Sequence, residues 1–212
     1  MTTMLLKPEY LQFTVGGGIR FGCDQDWFRG FWQRKAGCGP CTGAHILHYF
    51  QQSGRIKRVM DIKTRQDFVK LMEHSWGYLT PGIMGLYSPY SMQEGLDLML
   101  SDLGSALTAR VLEIPAQGDL RPDVLAVEAF IRQGLLADSP VAFLNLHNGG
   151  IHQLETWHWV TVVGISGSGE QAELSIYDNG NNIKVNLFAW LMSTTRGGGF
   201  VYAEEGRAPK AQ

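Results

Sequence analysis

The chain is short of charge. Asp, Glu, Lys and Arg make up 18% of its 212 residues, and acids and bases nearly cancel at a formal net charge of −2. Such a balance excludes the electrostatic footprint of a nucleic-acid or anionic-membrane binder. The nearest approach to a basic patch, "GRIKRV" with Lys63 and Arg65 beyond it, reads as a solvated face. No run approaches the length of apolar sequence that spans a bilayer, so no membrane segment is expected. The opening "MTTMLLKPEYLQF" follows its one Leu pair with a charge and a proline, which leaves no signal-peptide core. Cysteine is scarce too. Three cannot all pair within one chain, and two of them share one short motif. That excludes a secreted disulfide framework and points to a reducing, cytoplasmic setting with a working thiol.

What the chain does have is apolar residues, 44% of the total, enough for a core that needs no disulfide or metal staple. The length fits one domain. Its two parts differ in pattern. Cys38 to Ser53 carries Ala44, Leu47 and Phe50 at helical spacing, Arg65 to Trp76 is amphipathic, and Ser91 to Leu103 opens on a Ser91/Glu94 capping box. A strand is expected at Leu107 to Ile114, then a helix from Pro122 to about Gln133. From Pro140 onward "PVAFLNL", "TWHWVTVVGI", "AELSIYD" and "GGFVYAEE" read as strands, with hairpin turns at "SGSGEQ" and "DNGNN" and a short helix at "LFAWLMS". Helices first and antiparallel strands second predict an α+β fold. The expected organisation is a single domain over residues 1–212, with a helical lobe at about 20–105 and a β-rich lobe at about 106–206.

The chemistry gathers at "QRKAGCGPCTGAHILHYF", Gln33 to Phe50. Cys38-Gly-Pro-Cys41 has the spacing of a thioredoxin-like redox pair, but "FWQRKAG" is no buried strand to precede it, and no hairpin pattern follows Thr80-Pro81. Cys38, Cys41, His45 and His48 could be metal ligands. Structural zinc sites, however, draw on two separate segments, and the alternative for the two histidines is a packed helix face. A cysteine nucleophile instead requires a histidine on another element and a group to orient it. "ETWHWVTVVG" supplies His158 within an apolar strand, and "LSIYDNG" supplies Asp178 at the end of the next one. Across a hairpin at "SGSGEQ" the two would lie side by side. The loop "LHNGGIHQLE", with His147 and His152, leads into the His158 strand, and "GYLTPGIMGLYSPYS" either walls a cleft or is an irregular connection.

Gln33, then "CGP" opening a helix, "WHWVTVVGI" and "YDNG" in that order resemble the papain-like cysteine peptidases related to bacteriocin-leader-processing (double-glycine) enzymes. The resemblance runs over most of the chain. It implies a papain-like two-lobe fold and a thiol hydrolase or acyl-transfer enzyme. Cys38 would be its nucleophile, His158 its base, Asp178 the orienter and Gln33 an oxyanion donor beside the Cys38 N–H. Gln33 stands five residues before Cys38, where such enzymes commonly use about six, and Cys41 replaces a small apolar residue. No cofactor or metal is implied; the partner would be a peptide or amide substrate. The helix dipole at Cys38 favours a thiolate. Two other classes stay open: a peptide-binding module without turnover on the same fold, and a thiol–disulfide protein using Cys38 and Cys41.

Overall fold

Most of the helices precede most of the strands, though short strands also open the chain and two helices fall among the later strands, within an α+β protein. The computed structural model describes residues 1–15 and 17–206. A short strand, β1 (Thr3–Met4), precedes a paired β2 (Gln12–Val15) and β3 (Gly18–Phe21). Four helices follow: α1 (Phe31–Ala36), α2 (Cys38–Gln52), α3 (Arg65–Tyr78) and α4 (Pro89–Asp102). Then come β4 (Leu107–Ile114), α5 (Val124–Leu136), β5 (Val141–Asn145), β6 (His158–Ser166), β7 (Glu173–Asp178), β8 (Asn181–Asn186), α6 (Leu187–Ser193) and β9 (Gly198–Glu205).

The large sheet runs β4-β9-β5-β6-β7-β8, and every described ladder in it is antiparallel. β1 lies beside β6 at Gly164 and Ile165, beyond the point where β5 ends its pairing. The last strand, β9, sits between β4 and β5. Asn179 and Gly180 join β7 to β8, both with positive φ (46° and 77°), the geometry of a two-residue hairpin turn.

Local chemistry sets the helix starts. Thr64 and Asp67 form the capping box of α3. α4 starts earlier than the Ser91/Glu94 spelling suggests, because Ser88 accepts from the Tyr90 N–H and Pro89 fits the first turn. Likewise Asp123, accepting from the Ala126 N–H, caps α5 in place of a start at Pro122. α2 departs most from a surface helix. It is buried from Gly39 to Gln51 and packs against α3 on one side and β6 on another. Its histidine face therefore lies inside the protein, while the Cys38 start is only half-buried.

Candidate functional site

α1 stops and α2 begins at Gly37, so Cys38 stands at a helix start and is half-buried. In this turn the Cys41 N–H donates to Gly37 O at 2.9 Å. The Cys38 and Gly39 N–H groups precede it, and Pro40 brings none. Gly39 leaves room for Leu86, whose Cδ2 would come within 2.8 Å of a methyl group there.

His158 opens β6 and is buried, with only 4% of its surface exposed. Its Nε2 lies 2.7 Å from Asp178 Oδ1 at the end of β7. The Thr161–Tyr177 pairing carries Asp178 toward the His158 end of the hairpin, where the two meet diagonally. With Nε2 committed, Nδ1 is the ring nitrogen left for a second partner. Burial opposes charging this ring, but Asp178 and the neighbouring Cys38 side chain outweigh it and hold its proton well above the usual histidine range. Cys38, His158 and Asp178 line one cavity of about 10 Å³, which Gln25, Cys41 and Asn179 also line.

The structure thus brings three of the four expected site residues together. Gln33 is elsewhere. It lies in the first turn of α1 and folds back, its Oε1 accepting from the Gly30 N–H at 3.1 Å, and it does not line the cavity. Its five-residue spacing together with the helix break at Gly37 turns it onto its own helix end. Gln25 is the glutamine at the cavity, on a short turn capped by Asp24, and its buried Oε1 has no hydrogen-bond partner. No sequence spacing rule reaches it: only the Asp24 cap in "CDQDW" marks a turn there.

The neighbouring histidines have other occupations. His45 spans two elements, with Nδ1 2.7 Å from Thr161 Oγ1 and Nε2 accepting from the Cys23 N–H at 2.7 Å. His48 packs against both Phe13 and Phe68, and burial, then His45, push it down to about 4. They do not converge on Cys41, and among the described residues no three His, Cys, Asp or Glu side chains gather to hold a metal ion. Cys41 is buried inside the first turn of α2, and burial pushes its thiol well up. His147 anchors its loop, Nδ1 accepting from the Gly149 and Thr195 N–H groups.

Cys38 also lines a larger pocket of about 210 Å³, walled by the 83–87 segment and by Trp157 and Trp159. No helix among the described residues is long and apolar enough to cross a membrane. No protein-family model matches the chain, and no curated protein is significantly similar to it.

Proposed function

We propose that the protein is a thiol-dependent hydrolase of a peptide or amide bond, on a papain-like arrangement in which a helix carries the cysteine and a sheet carries the histidine and aspartate. One observation carries this reading: a buried His158, tied to Asp178 at 2.7 Å, shares a cavity with a cysteine at a helix start. A structural histidine needs no such neighbour, and a buried ring holds a proton only where a neighbouring charge offsets the desolvation, as Asp178 does here.

In this reaction Cys38 gives its proton to His158 and attacks the substrate carbonyl carbon as a thiolate, and the C=O π pair moves onto oxygen. The Cys38 N–H and the Gln25 side-chain amide are the donors for that oxyanion, with Gln25 in place of Gln33. Asp178 holds the imidazole in orientation, and His158 gives its proton to the leaving amine as the C–N bond breaks. Water then attacks the thioester carbonyl, giving one proton to His158, and the C–S bond breaks to release the acid and the Cys38 thiolate.

The test is turnover of a mixed peptide library, read by mass spectrometry. Wild type is expected to cleave, and Cys38→Ala and His158→Ala to lose on the order of a thousandfold or more. Gln25→Ala is expected to lose about a hundredfold and Gln33→Ala only the stability of a helix cap, about 1 kcal/mol. Cleavage that survives Cys38→Ala contradicts the reading.

A further inference from the structure

His45 lines the same cavity as Cys38, His158 and Gln25, yet it has no place in the chemistry above. It is buried, and both of its ring nitrogens are engaged. The Cys23 N–H can only donate, so Nε2, 2.7 Å from it, carries the lone pair and accepts. The ring proton therefore sits on Nδ1, which donates to Thr161 Oγ1 at 2.7 Å. A ring held this way offers substrate neither a lone pair nor a proton, which removes it as a second catalytic histidine. Its partners instead belong to segments that each carry a site residue. His45 itself stands two turns along α2 from Cys38, on the same face. Thr161 lies in β6, which His158 opens. Cys23 precedes Asp24, the cap of the three-residue turn that begins with Gln25. The bonds within that turn are local, from the Asp26 N–H to Asp24 Oδ1 and from the Trp27 N–H to Asp24 O. Its ties to α2 run through Cys23, whose N–H meets His45 and whose thiol makes a long contact, 3.8 Å, with Cys41 O. The backbone is shaped to receive the ring. Gly22 has φ 82°, in the left-handed region, and a methyl group there would come within 2.6 Å of His45 Cε1 and Nε2.

We infer that His45 is a positioning residue, which sets the Gln25 turn against α2 and β6 so that the oxyanion donor stands in place before substrate arrives. The inference rests on the hydrolase reading with Gln25 as donor. A donor of this kind contributes most when nothing has to reorganise at the moment of reaction. A glutamine on a three-residue turn with only local bonds meets that condition through an anchor outside the turn. One ring supplies it, joining helix, strand and turn. An apolar side chain could fill the same space, but it would leave the buried Cys23 N–H unpaired and the turn untied.

Two reactions of Cys38, both read by peptide mass, separate positioning from plain stability. Acylation by a peptidyl 4-nitrophenyl ester passes through an oxyanion: sulfur bonds to the carbonyl carbon and nitrophenolate leaves. Alkylation by iodoacetamide, in which sulfur displaces iodide at a saturated carbon, needs the thiolate and no oxyanion donor. His45→Leu is expected to slow acylation on the order of ten- to a hundredfold, up to the loss in Gln25→Ala, with alkylation within about twofold of wild type. His45→Gln, which keeps an acceptor for the Cys23 N–H, should recover most of that rate. Gln25→Ala combined with His45→Leu should be no slower than Gln25→Ala alone, since both act through one donor. Thr161→Val leaves the ring and removes the partner of Nδ1, and its several-fold loss should be confined to acylation. Should His45→Leu fail to fold, Thr161→Val alone and on the Gln25→Ala background decides by the same criteria. Alkylation that falls as far as acylation, losses that multiply in the double variant, or wild-type acylation in His45→Leu each overturn the positioning role and leave the hydrolase reading standing. A wild-type Cys38 that iodoacetamide alkylates and the ester leaves unacylated removes the hydrolase reading and this inference together.

Discussion

Cys38 and Cys41 share a motif and little else. Cys38 is half-buried and faces the cavity, whereas Cys41 is 6% exposed and its thiol is pushed well up by burial. Limited iodoacetamide is therefore expected to modify Cys38 first, with Cys41→Ala changing the rate little and His158→Ala slowing it; peptide mapping by mass spectrometry reads the order. Equal labelling of both, or loss of activity on either substitution with a dithiol-reducible Cys38–Cys41 bond, would instead favour the thiol–disulfide class. Asp178 carries a second expectation. It raises the His158 proton affinity, and so does Cys38, against the effect of burial. The reacting form needs His158 protonated, so activity is lost as pH rises through the ring's pKa in the folded protein. Removing the Asp178 charge lowers that pKa. Asp178→Asn should thus shift the alkaline limb of the pH–rate profile down by about one unit or more, and Asn179→Ala should leave the limb in place.

Among the elements, α2 shows where sequence pattern reaches and where it fails. Its start at Cys38 and its length were legible, since "CGP" suits a helix opening and the apolar spacing sustains it. Its full burial was not, because a helix with two histidines and a glutamine reads as amphipathic until its neighbours are known. His48 pays for that burial. Its ring is packed against Phe13 and Phe68, Nδ1 has no partner, and protonation is pushed down to about 4. In the unfolded chain the ring takes its proton near pH 6.5. Below that pH the unfolded state binds more protons, so stability falls as pH drops from about 6.5 to about 4, by up to about 1.4 kcal/mol per unit, and is unaffected above it. Thermal melts of wild type and His48→Leu across this range are expected to converge or cross toward acid pH, with the variant flatter. β6 shows a different limit. Alternation placed His158 and Asp178 where they could meet, and they do. Yet it is Trp159 and Thr161, the residues alternating with His158, that meet α2 through Gly39 and His45. His158 lines the cavity of Cys38 from the strand's end, and strand-end position is not visible in period-two pattern.

At the scale of the molecule, the α+β class and the order of elements could be read directly from the chain, because helical and alternating patterns occupy separate stretches. The sheet order could not. β9, last in the chain, is inserted between β4 and β5, and β1, among the first residues, completes an edge left by β5. Such pairings depend on which apolar faces remain open after local folding, and no local signal encodes them. The same holds for the site. Cys38, His158 and Asp178 were legible because each sits within a short motif, while Gln25 arrives from a capped turn far from any of them. All these placements serve one claim, that Cys38 carries the acyl group of the substrate. The most direct measurement mixes the protein with a peptidyl 4-nitrophenyl ester, quenches in acid within the first turnover, and locates the added mass by peptide mapping. The account predicts an acyl thioester on Cys38, sensitive to hydroxylamine, that is absent in Cys38→Ala and strongly diminished in His158→Ala. An acyl group on another residue, or nitrophenol release undiminished in Cys38→Ala, would contradict it.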